Sequence, residues 1–304
     1  MQRIHVSFST CPVMGLCVAW MMVICGLLSA AEDLAPQVAP QGGGAGSDTP
    51  LPPPKPVPGQ ALRPDLANAF TPYEPLYFLV EPNPLNAKLQ LSFAIMVIGR
   101  AVKPEGGDQR RDGLYFGYTQ VSFWDLHAES KPFFDNNYRP EGWWHQGGLP
   151  AGWLNLDSVA VEAGLGHESN GQSGELSRSI NYLLLRPIMR WDLPDDWQIH
   201  LAPQLNYPVG SLQENPDITR YRGIFKLKAD AVRYNGFKFA TTAYLGTGWD
   251  RGAFQLDISY PTTDLTAGWI NCFLYAQWFD GWGESLRGYD VRTNRVLLGL
   301  AFIR

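Results

Sequence analysis

Short segments in which apolar and polar residues alternate recur along the chain, and they limit its possible folds more than any other feature. The clearest segments are 199–207, 225–231, 254–260 and 296–302. Successive side chains of a β-strand point to opposite faces, so each segment is predicted to be a strand with one apolar and one polar face. Turn residues separate the segments, and the pattern therefore predicts an all-β fold.

Two all-β architectures fit such strands, a soluble β-sandwich and a membrane-spanning β-barrel. Strands of about ten residues with a strongly polar second face are typical of transmembrane barrels. The 11 Trp, 13 Tyr and 15 Phe residues also fit a barrel, although a sandwich can share this composition. Only a closed barrel lets strands cross lipid with all backbone groups paired. We therefore predict a transmembrane antiparallel β-barrel.

The first 31 residues have the pattern of a secretory signal peptide. Arg3 and His5 precede an apolar stretch over about 13–28, and residues 29–31 are small, as at a cleavage site. The alternative is a retained membrane anchor. The apolar stretch is short for a span of about 20 residues, and no cluster of charges follows it. Export from the cytoplasm is therefore expected, which favours the barrel over the sandwich.

A linker and one large domain follow the signal peptide. Residues 32–70 are rich in Pro and Gly and are predicted to be a disordered tether, whereas residues 71–304 are predicted to form the barrel. Cys272 is the only cysteine beyond residue 31, so an internal disulfide is excluded. The net charge of −5 and the lack of a Lys/Arg block argue against nucleic acid as a partner.

A histidine, a serine and an asparagine fall on the apolar face of two successive predicted strands. In segment 157–169 the odd-numbered positions from 159 to 165 are apolar, and His167 and Ser169 occupy the next two odd positions. Asn181 is also at an odd position, and the odd positions of its predicted strand form the apolar face. Polar groups that face hydrocarbon cost free energy unless they bond to one another. A histidine can accept the proton of a serine nucleophile, and a third group then orients the imidazole. The three residues are therefore a candidate catalytic set, although a histidine two residues before a serine also occurs by chance.

Two motifs resemble the active-site segment of the outer-membrane phospholipase A family. They are Gly166-His167-Glu168-Ser169-Asn170-Gly171 and Ser177-Arg178-Ser179-Ile180-Asn181. Other segments also resemble the family, such as Asn215-Pro216-Asp217-Ile218-Thr219 and Gly281-Trp282-Gly283-Glu284-Ser285-Leu286. The resemblance implies a twelve-stranded, multi-pass barrel of the bacterial outer membrane that hydrolyses acyl esters of phospholipids and lysophospholipids. It implies that Ser169 is the nucleophile, His167 the general base and Asn181 the orienting residue. The Ser169 amide, with Gly171 nearby, is expected to bind the oxyanion.

The same resemblance implies activation by Ca²⁺ and a reversible homodimer. Ser177 matches a position whose hydroxyl binds the metal, and Gln172 matches one that contributes its backbone carbonyl. Ser130 corresponds to a serine that each subunit supplies to the calcium of the other, and Gln120 to a polar residue at the dimer interface. Oxygen ligands of this kind suit a hard cation such as Ca²⁺. Gly174 departs from better-known members, which carry there an aspartate associated with a second calcium site.

The competing interpretation is a non-enzymatic outer-membrane barrel, either a porin or a catalytically inactive relative. A porin needs a wide polar lumen and gives no reason for His167 and Ser169 to face outward. The outward parity of these residues therefore favours the enzyme.

Overall fold

The computed structural model describes residues 70–99, 110–152 and 155–304, and most of them lie in β-strands. The strands are β1 (Phe70–Thr71), β2 (Leu76–Pro82), β3 (Leu85–Gly99), β4 (Gly113–Asp125), β5 (Phe133–Gln146), β6 (Ser158–Ser169), β7 (Ser179–Leu193), β8 (Trp197–Val209), β9 (Phe225–Arg233), β10 (Lys238–Leu245), β11 (Gly252–Pro261), β12 (Phe273–Trp282) and β13 (Arg292–Ile303). A 3₁₀ helix (Gly174–Leu176) and the short α1 (Ile218–Arg222) lie in connections between strands. Across the described residues, no helix is long and apolar enough to cross a membrane.

The strands form one antiparallel sheet that closes on itself. Consecutive strands pair from β2 to β13, and β13 returns to β2 with Leu300 opposite Phe78. Strands β1 and β2 lie end to end along β3, because Phe70 pairs with Ile95 near the end of β3 and β2 pairs with its beginning. Together β1 and β2 make one interrupted strand of the barrel, and the barrel therefore has twelve strands. The predicted twelve-stranded antiparallel barrel is confirmed.

The alternation in the sequence becomes the two faces of the barrel wall. On β6, Glu162 faces the lumen and is 0% exposed, whereas Leu165 faces outward and is 60% exposed. Buried polar residues include Lys88, Thr119, Asp135, Asn137, Glu141, His145, Glu162, Arg186, Arg190, Gln204, Asp257 and Gln277. Exposed large apolar residues include Phe116, Leu165, Leu183, Leu185, Leu227, Phe254, Leu274, Val296, Leu298 and Leu300. An apolar belt around a polar interior is the arrangement of a barrel that sits in lipid.

Paired charges and aromatic rings fill much of the lumen. Glu162 accepts a hydrogen bond from Arg186 Nε at 2.7 Å and one from Arg110 at 2.5 Å. Trp143 is fully buried and stacks on Tyr73, with 4.8 Å between the ring centroids. A cavity of about 280 Å³ remains. This filled interior does not fit the wide aqueous channel of a porin.

The break between β1 and β2 turns inward. Within residues 72–75, Tyr73 donates its hydroxyl proton to Glu141, and Glu74 pairs with Lys228. The Glu74 amide donates to Ser92 Oγ at 3.1 Å. Side chains and backbone of residues 72–75 therefore bind groups inside the lumen, and the strand alternation in the sequence does not predict these contacts.

The predicted signal peptide (1–31) and residues 32–69 of the predicted tether lie outside the described residues. Phe70, the last residue of the predicted tether, pairs with Ile95 of β3. Cys272 is a buried free thiol directly before β12.

Connections that follow even-numbered strands lie at one end of the barrel, which we call the mouth end, because the strands alternate in direction. An apolar cluster of Ile218, Leu286 and Tyr289 joins the 210–224 and 283–291 connections there. The Leu286 amide donates to Asn137 Oδ1 at 3.1 Å, and Tyr289 donates its hydroxyl proton to Asp217 at 2.6 Å. These contacts attach the two connections to each other and to the barrel wall.

Candidate active site

His167 and Asn181 face each other across β6 and β7 on the outer wall. They are direct cross-strand partners, and 2.7 Å separates His167 Nδ1 from Asn181 Oδ1. An amide oxygen only accepts hydrogen bonds, so this contact places a proton on Nδ1, and in a neutral imidazole Nε2 is then the acceptor nitrogen. This is the tautomer that a general base requires.

Ser169 lies on the same outward face, two residues after His167 and about 7 Å away along the strand. It is in register with Ser179 on β7 and with Tyr138 on β5. Within the described part of the chain, its hydroxyl makes no hydrogen bond to the His167 ring. Catalytic hydrogen bonds are often long or poorly aligned without substrate. The structure thus brings the three predicted residues onto one patch and joins two of them directly.

A row of large apolar side chains lies beside this polar patch. Leu165, Leu183 and Tyr207 are in register on β6, β7 and β8, and they are 60%, 47% and 55% exposed. The row lies two residues from His167 on β6, toward the middle of the barrel wall. Apolar surface therefore begins directly beside the candidate catalytic groups.

The connection 170–178 is shaped by the side chain of Asn170, which is 1% exposed. Its Oδ1 accepts the amide of Arg178 at 3.0 Å and that of Gln172 at 3.3 Å, and its Nδ2 donates to the Leu176 carbonyl at 2.8 Å. The following Gly171 has φ +65°, a conformation that favours glycine, and a Cβ there would lie 2.9 Å from the Tyr138 ring. The backbone at the predicted oxyanion position is therefore held in one conformation.

We expect Asn170→Ala to disorder this connection while leaving the barrel intact. The change removes three hydrogen bonds to the backbone of an exposed connection, at a net cost of about 0.5–1.5 kcal/mol for each bond. Fatty-acid release should fall at least tenfold, whereas heat-modifiable gel migration should not change. Asn294→Ala is the matched control, because Asn294 is exposed at the same end and, among the described residues, its side chain donates only to Asp280, at 3.1 Å. Equal activity of both variants would show that Asn170 does not shape the site.

A second connection supports the start of β7. The Ser179 amide donates to Asn215 Oδ1 at 3.0 Å, and the Ser179 hydroxyl donates to Glu214 at 2.8 Å. Asn215 is 0% exposed. Sequence reasoning did not assign roles to Asn170 or Asn215. The Asn170-Gly171 and Asn215-Pro216 pairs signal turns, but the pattern does not show which amides the asparagines bind.

Glu168 holds the end of β6 from inside the lumen. It stands between His167 and Ser169 in the sequence, so its side chain points to the opposite face. Its carboxylate pairs with Arg222, the last residue of α1, at 3.1 Å. The strand that carries the candidate base and nucleophile is thereby linked to the 210–224 connection.

The predicted calcium ligands lie in connections at the mouth end. Among the described residues, neither the Ser177 hydroxyl nor the Gln172 carbonyl oxygen takes part in a hydrogen bond. A hydroxyl and a backbone carbonyl are hard oxygen ligands, so both groups fit Ca²⁺. Ser130 is exposed in the 126–132 connection, at the same end. The residues that the structure describes contain no group of three or more His, Cys, Asp or Glu that could hold a metal ion.

Gln120 projects outward from β4, two strands away from Ser169. It is in register with Tyr138, which is in register with Ser169, so about 10 Å separates the two positions. Tyr118 donates its hydroxyl proton to Gln120 at 3.0 Å, and Gln120 donates to Ser122 at 3.1 Å. This polar strip therefore lies on the outer wall close to the candidate site.

Comparisons with known proteins connect this chain to one family. The family model for phospholipase A1 matches residues 68–302. Phospholipases A1 of Klebsiella pneumoniae and Escherichia coli K12 are each 35% identical over 189 residues, which is 60% of this chain and 60% of the relative. A putative phospholipase A1 of Neisseria meningitidis is 30% identical over 237 residues, 71% of this chain and 54% of the relative. The matched region thus spans less than two thirds of these relatives.

Solved structures share the barrel. Outer membrane phospholipase A of E. coli has a TM-score of 0.64 at 28% identity and covers 79% of this chain and 93% of its own. The Salmonella typhi outer membrane phospholipase, a dimer with bound calcium, has a TM-score of 0.64 at 26% identity and covers 79% and 96%. An active-site mutant of the E. coli enzyme, with alanine in place of an asparagine, has a TM-score of 0.63.

The apolar belt and these relatives place the protein in the outer membrane as a multi-pass β-barrel. The family model covers more than three quarters of the chain, including every residue of the candidate site. The chain belongs to the phospholipase A1 family.

Proposed function

We propose that the protein is a calcium-dependent outer-membrane phospholipase that hydrolyses acyl esters of phospholipids and lysophospholipids through Ser169, His167 and Asn181. The observation that carries the proposal is the His167–Asn181 hydrogen bond beside Ser169 on the lipid-facing wall. The asparagine that defines an active-site mutant of the E. coli enzyme gives independent support.

In the acylation step, His167 Nε2 takes the proton of Ser169 Oγ as this oxygen attacks the ester carbonyl. The imidazolium then gives the proton to the departing alcohol oxygen of the glycerol, which leaves an acyl-serine. In the second step, His167 accepts a proton from water as the water oxygen attacks the acyl carbon. The bond from the acyl carbon to Ser169 Oγ then breaks, the fatty acid leaves, and the imidazolium returns its proton to Ser169 Oγ. Asn181 Oδ1 holds the Nδ1 proton throughout and fixes the ring orientation.

The Ser169 amide, with Gly171 nearby, would stabilise the negative charge that develops on the carbonyl oxygen. Preorganised donors of this kind contribute strongly to acyl transfer. Asn170 supports this role because it fixes the backbone of the following residues. A calcium ion held by the Ser177 hydroxyl and the Gln172 carbonyl would supply further positive charge beside the developing oxyanion.

The apolar row of Leu165, Leu183 and Tyr207 is a suitable surface for an acyl chain. A phospholipid in the adjacent leaflet can lay one chain along this row while its ester bond lies near Ser169. A polar substrate without an acyl chain gains no such contact, which favours lipids as the substrate class.

The direct test is an assay of fatty-acid release by the detergent-solubilised full chain, with phospholipid and lysophospholipid substrates and with or without Ca²⁺. We expect release from both substrates in the presence of Ca²⁺. The alternatives are an inactive relative, which releases no fatty acid under either condition, and a porin, which conducts ions through planar bilayers. The filled lumen speaks against the porin.

We further propose that the working form is a homodimer joined near Gln120. A site on an outer wall provides half of a cleft, and a second barrel can provide the other half together with Ser130 as a calcium ligand. The calcium-bound dimer of the S. typhi relative supports this arrangement. Hydrophobic burial contributes little to the association of two barrels in lipid, because the lipid chains are as apolar as the barrel surface. Polar contacts such as those near Gln120 are therefore expected to contribute more to dimer stability.

Gln120→Ala is expected to lower the crosslinked dimer fraction by about threefold, as loss of one hydrogen bond between membrane segments does. Ser130→Ala should instead raise the Ca²⁺ concentration that activation requires. Both variants should keep the heat-modifiable migration of a folded barrel. Gln146→Ala is the control, because Gln146 is also exposed on the outer wall but lies at the opposite end of β5. A rate per subunit that stays constant across detergent dilution while the crosslinked fraction falls would make the monomer the working enzyme.

A further inference from the structure

Two polar side chains that lie next to each other in the lumen form no hydrogen bond or ion pair with any residue that the structure describes. Lys226 on β9 and Tyr244 on β10 are cross-strand neighbours, and both line the lumen cavity. Lys226 is 5% exposed. Within the residues that the structure describes, neither the Lys226 ammonium nor the Tyr244 hydroxyl takes part in a hydrogen bond or an ion pair.

The groups around them are already paired. Arg222 binds Glu168 at 3.1 Å, and Lys228 pairs with Glu74. Arg139 lies 3.6 Å from Glu74 and 3.8 Å from Glu141. In this part of the cavity, four cationic side chains face three carboxylates. Among the residues that the structure describes, Lys226 is the one of these four cationic side chains that forms no ion pair with a carboxylate.

Lys226 is only 5% exposed and its side chain borders the cavity, so it has lost most of its contact with bulk water, which costs free energy for a charged amine that has no counter-charge. A small anion in the cavity would remove that cost, because it can accept hydrogen bonds from the Lys226 ammonium and the Tyr244 hydroxyl at once. We propose that Lys226 and Tyr244 form a binding site for a small phosphate-type oxyanion, either free phosphate or a phosphorylated glycerol.

The size and polarity of the cavity set the ligand class. A cavity of about 280 Å³ has room for a phosphate group and a short polyol, and its lining around Lys226 and Tyr244 includes the charged Arg139, Glu168 and Arg222. A tetrahedral oxyanion presents several acceptor oxygens to the three ammonium protons and the phenol proton. This site is separate from the outward patch and does not depend on lipid hydrolysis.

The experiment is isothermal titration of the detergent-solubilised full chain with inorganic phosphate, and in a second arm with glycerol 3-phosphate. Saturable binding of either ligand by the wild type is the expected result. Tighter binding of glycerol 3-phosphate would identify a headgroup fragment as the better ligand. No saturable heat for either ligand up to roughly 10 mM, a concentration that would reveal millimolar affinity, would overturn the proposal.

Two variants test the assigned residues. Lys226→Met should weaken phosphate binding about tenfold or more, since a charged hydrogen bond is lost, and Tyr244→Phe should weaken it several-fold. Lys238→Met is the matched control, because Lys238 lines the same cavity about 20 Å along β10 from Tyr244 and lies 3.9 Å from Asp230. Wild-type affinity in both test variants, or equal loss in the control, would exclude this pair as the site. If Lys226→Met fails to fold, the phosphate affinity of Tyr244→Phe tests the site.

Discussion

Alanine at Ser169 or at His167 is expected to lower phospholipid hydrolysis by about 10⁴-fold or more, whereas Asn181→Ala should retain measurable activity. The nucleophile and its base act as one unit, so loss of either removes the acyl-serine route. Asn181 is neutral and holds the imidazole in place through one 2.7 Å hydrogen bond. Its loss therefore costs orientation and leaves the reacting groups present. The measurement is the initial rate of fatty-acid release by purified, folded variants.

Two substitutions serve as controls for these variants. Ser158→Ala changes a serine at the other end of β6, and His127→Ala changes an exposed histidine in the 126–132 connection. Both should keep the wild-type rate. Full activity of Ser169→Ala would remove this serine from the mechanism. Equal and total loss in all three site variants would instead show that Asn181 contributes more than ring orientation.

Removal of Ca²⁺ with a chelator is expected to reduce activity to background without unfolding the barrel. The proposed ligands, Ser177 and Gln172, lie in the 170–178 connection, whereas backbone pairing between strands holds the wall. Circular dichroism before and after chelation should therefore show the same β-content. Added Ca²⁺ should restore the rate, and Ser177→Ala should require about tenfold more Ca²⁺ because a ligand is lost. Loss of β-content together with activity would make the ion structural.

Strand parity accounts for most of what the sequence reveals about this protein. A period of two residues is enough to predict that His167, Ser169 and Asn181 point outward, because a strand leaves no other choice once the apolar face is known. The pairing of His167 with Asn181 comes from the register of β6 and β7 in the structure, because parity alone does not determine which residues of two strands face each other. The inward direction of Glu168 follows from the same rule.

Contacts made by connections are less accessible from sequence. Asn170 and Asn215 bind backbone groups whose positions depend on the course of two loops, and no periodicity encodes that course. The partner of Glu168 is Arg222, which follows it by more than fifty residues and comes from a short helix. The inward turn at Tyr73 interrupts the alternation of apolar and polar residues, so the sequence pattern does not predict that residues 72–75 bind inside the lumen.

The outward position of the candidate site determines how substrate reaches it. A lipid beside Leu165 and Leu183 does not have to leave its leaflet or enter a tunnel, because the wall that carries Ser169 already borders the hydrocarbon. Encounters between enzyme and substrate are then lateral and two-dimensional. Under the proposed phospholipase function, the relevant concentration is the mole fraction of each lipid in the surrounding leaflet, and dilution with an ester-free detergent at constant bulk lipid is expected to slow the reaction.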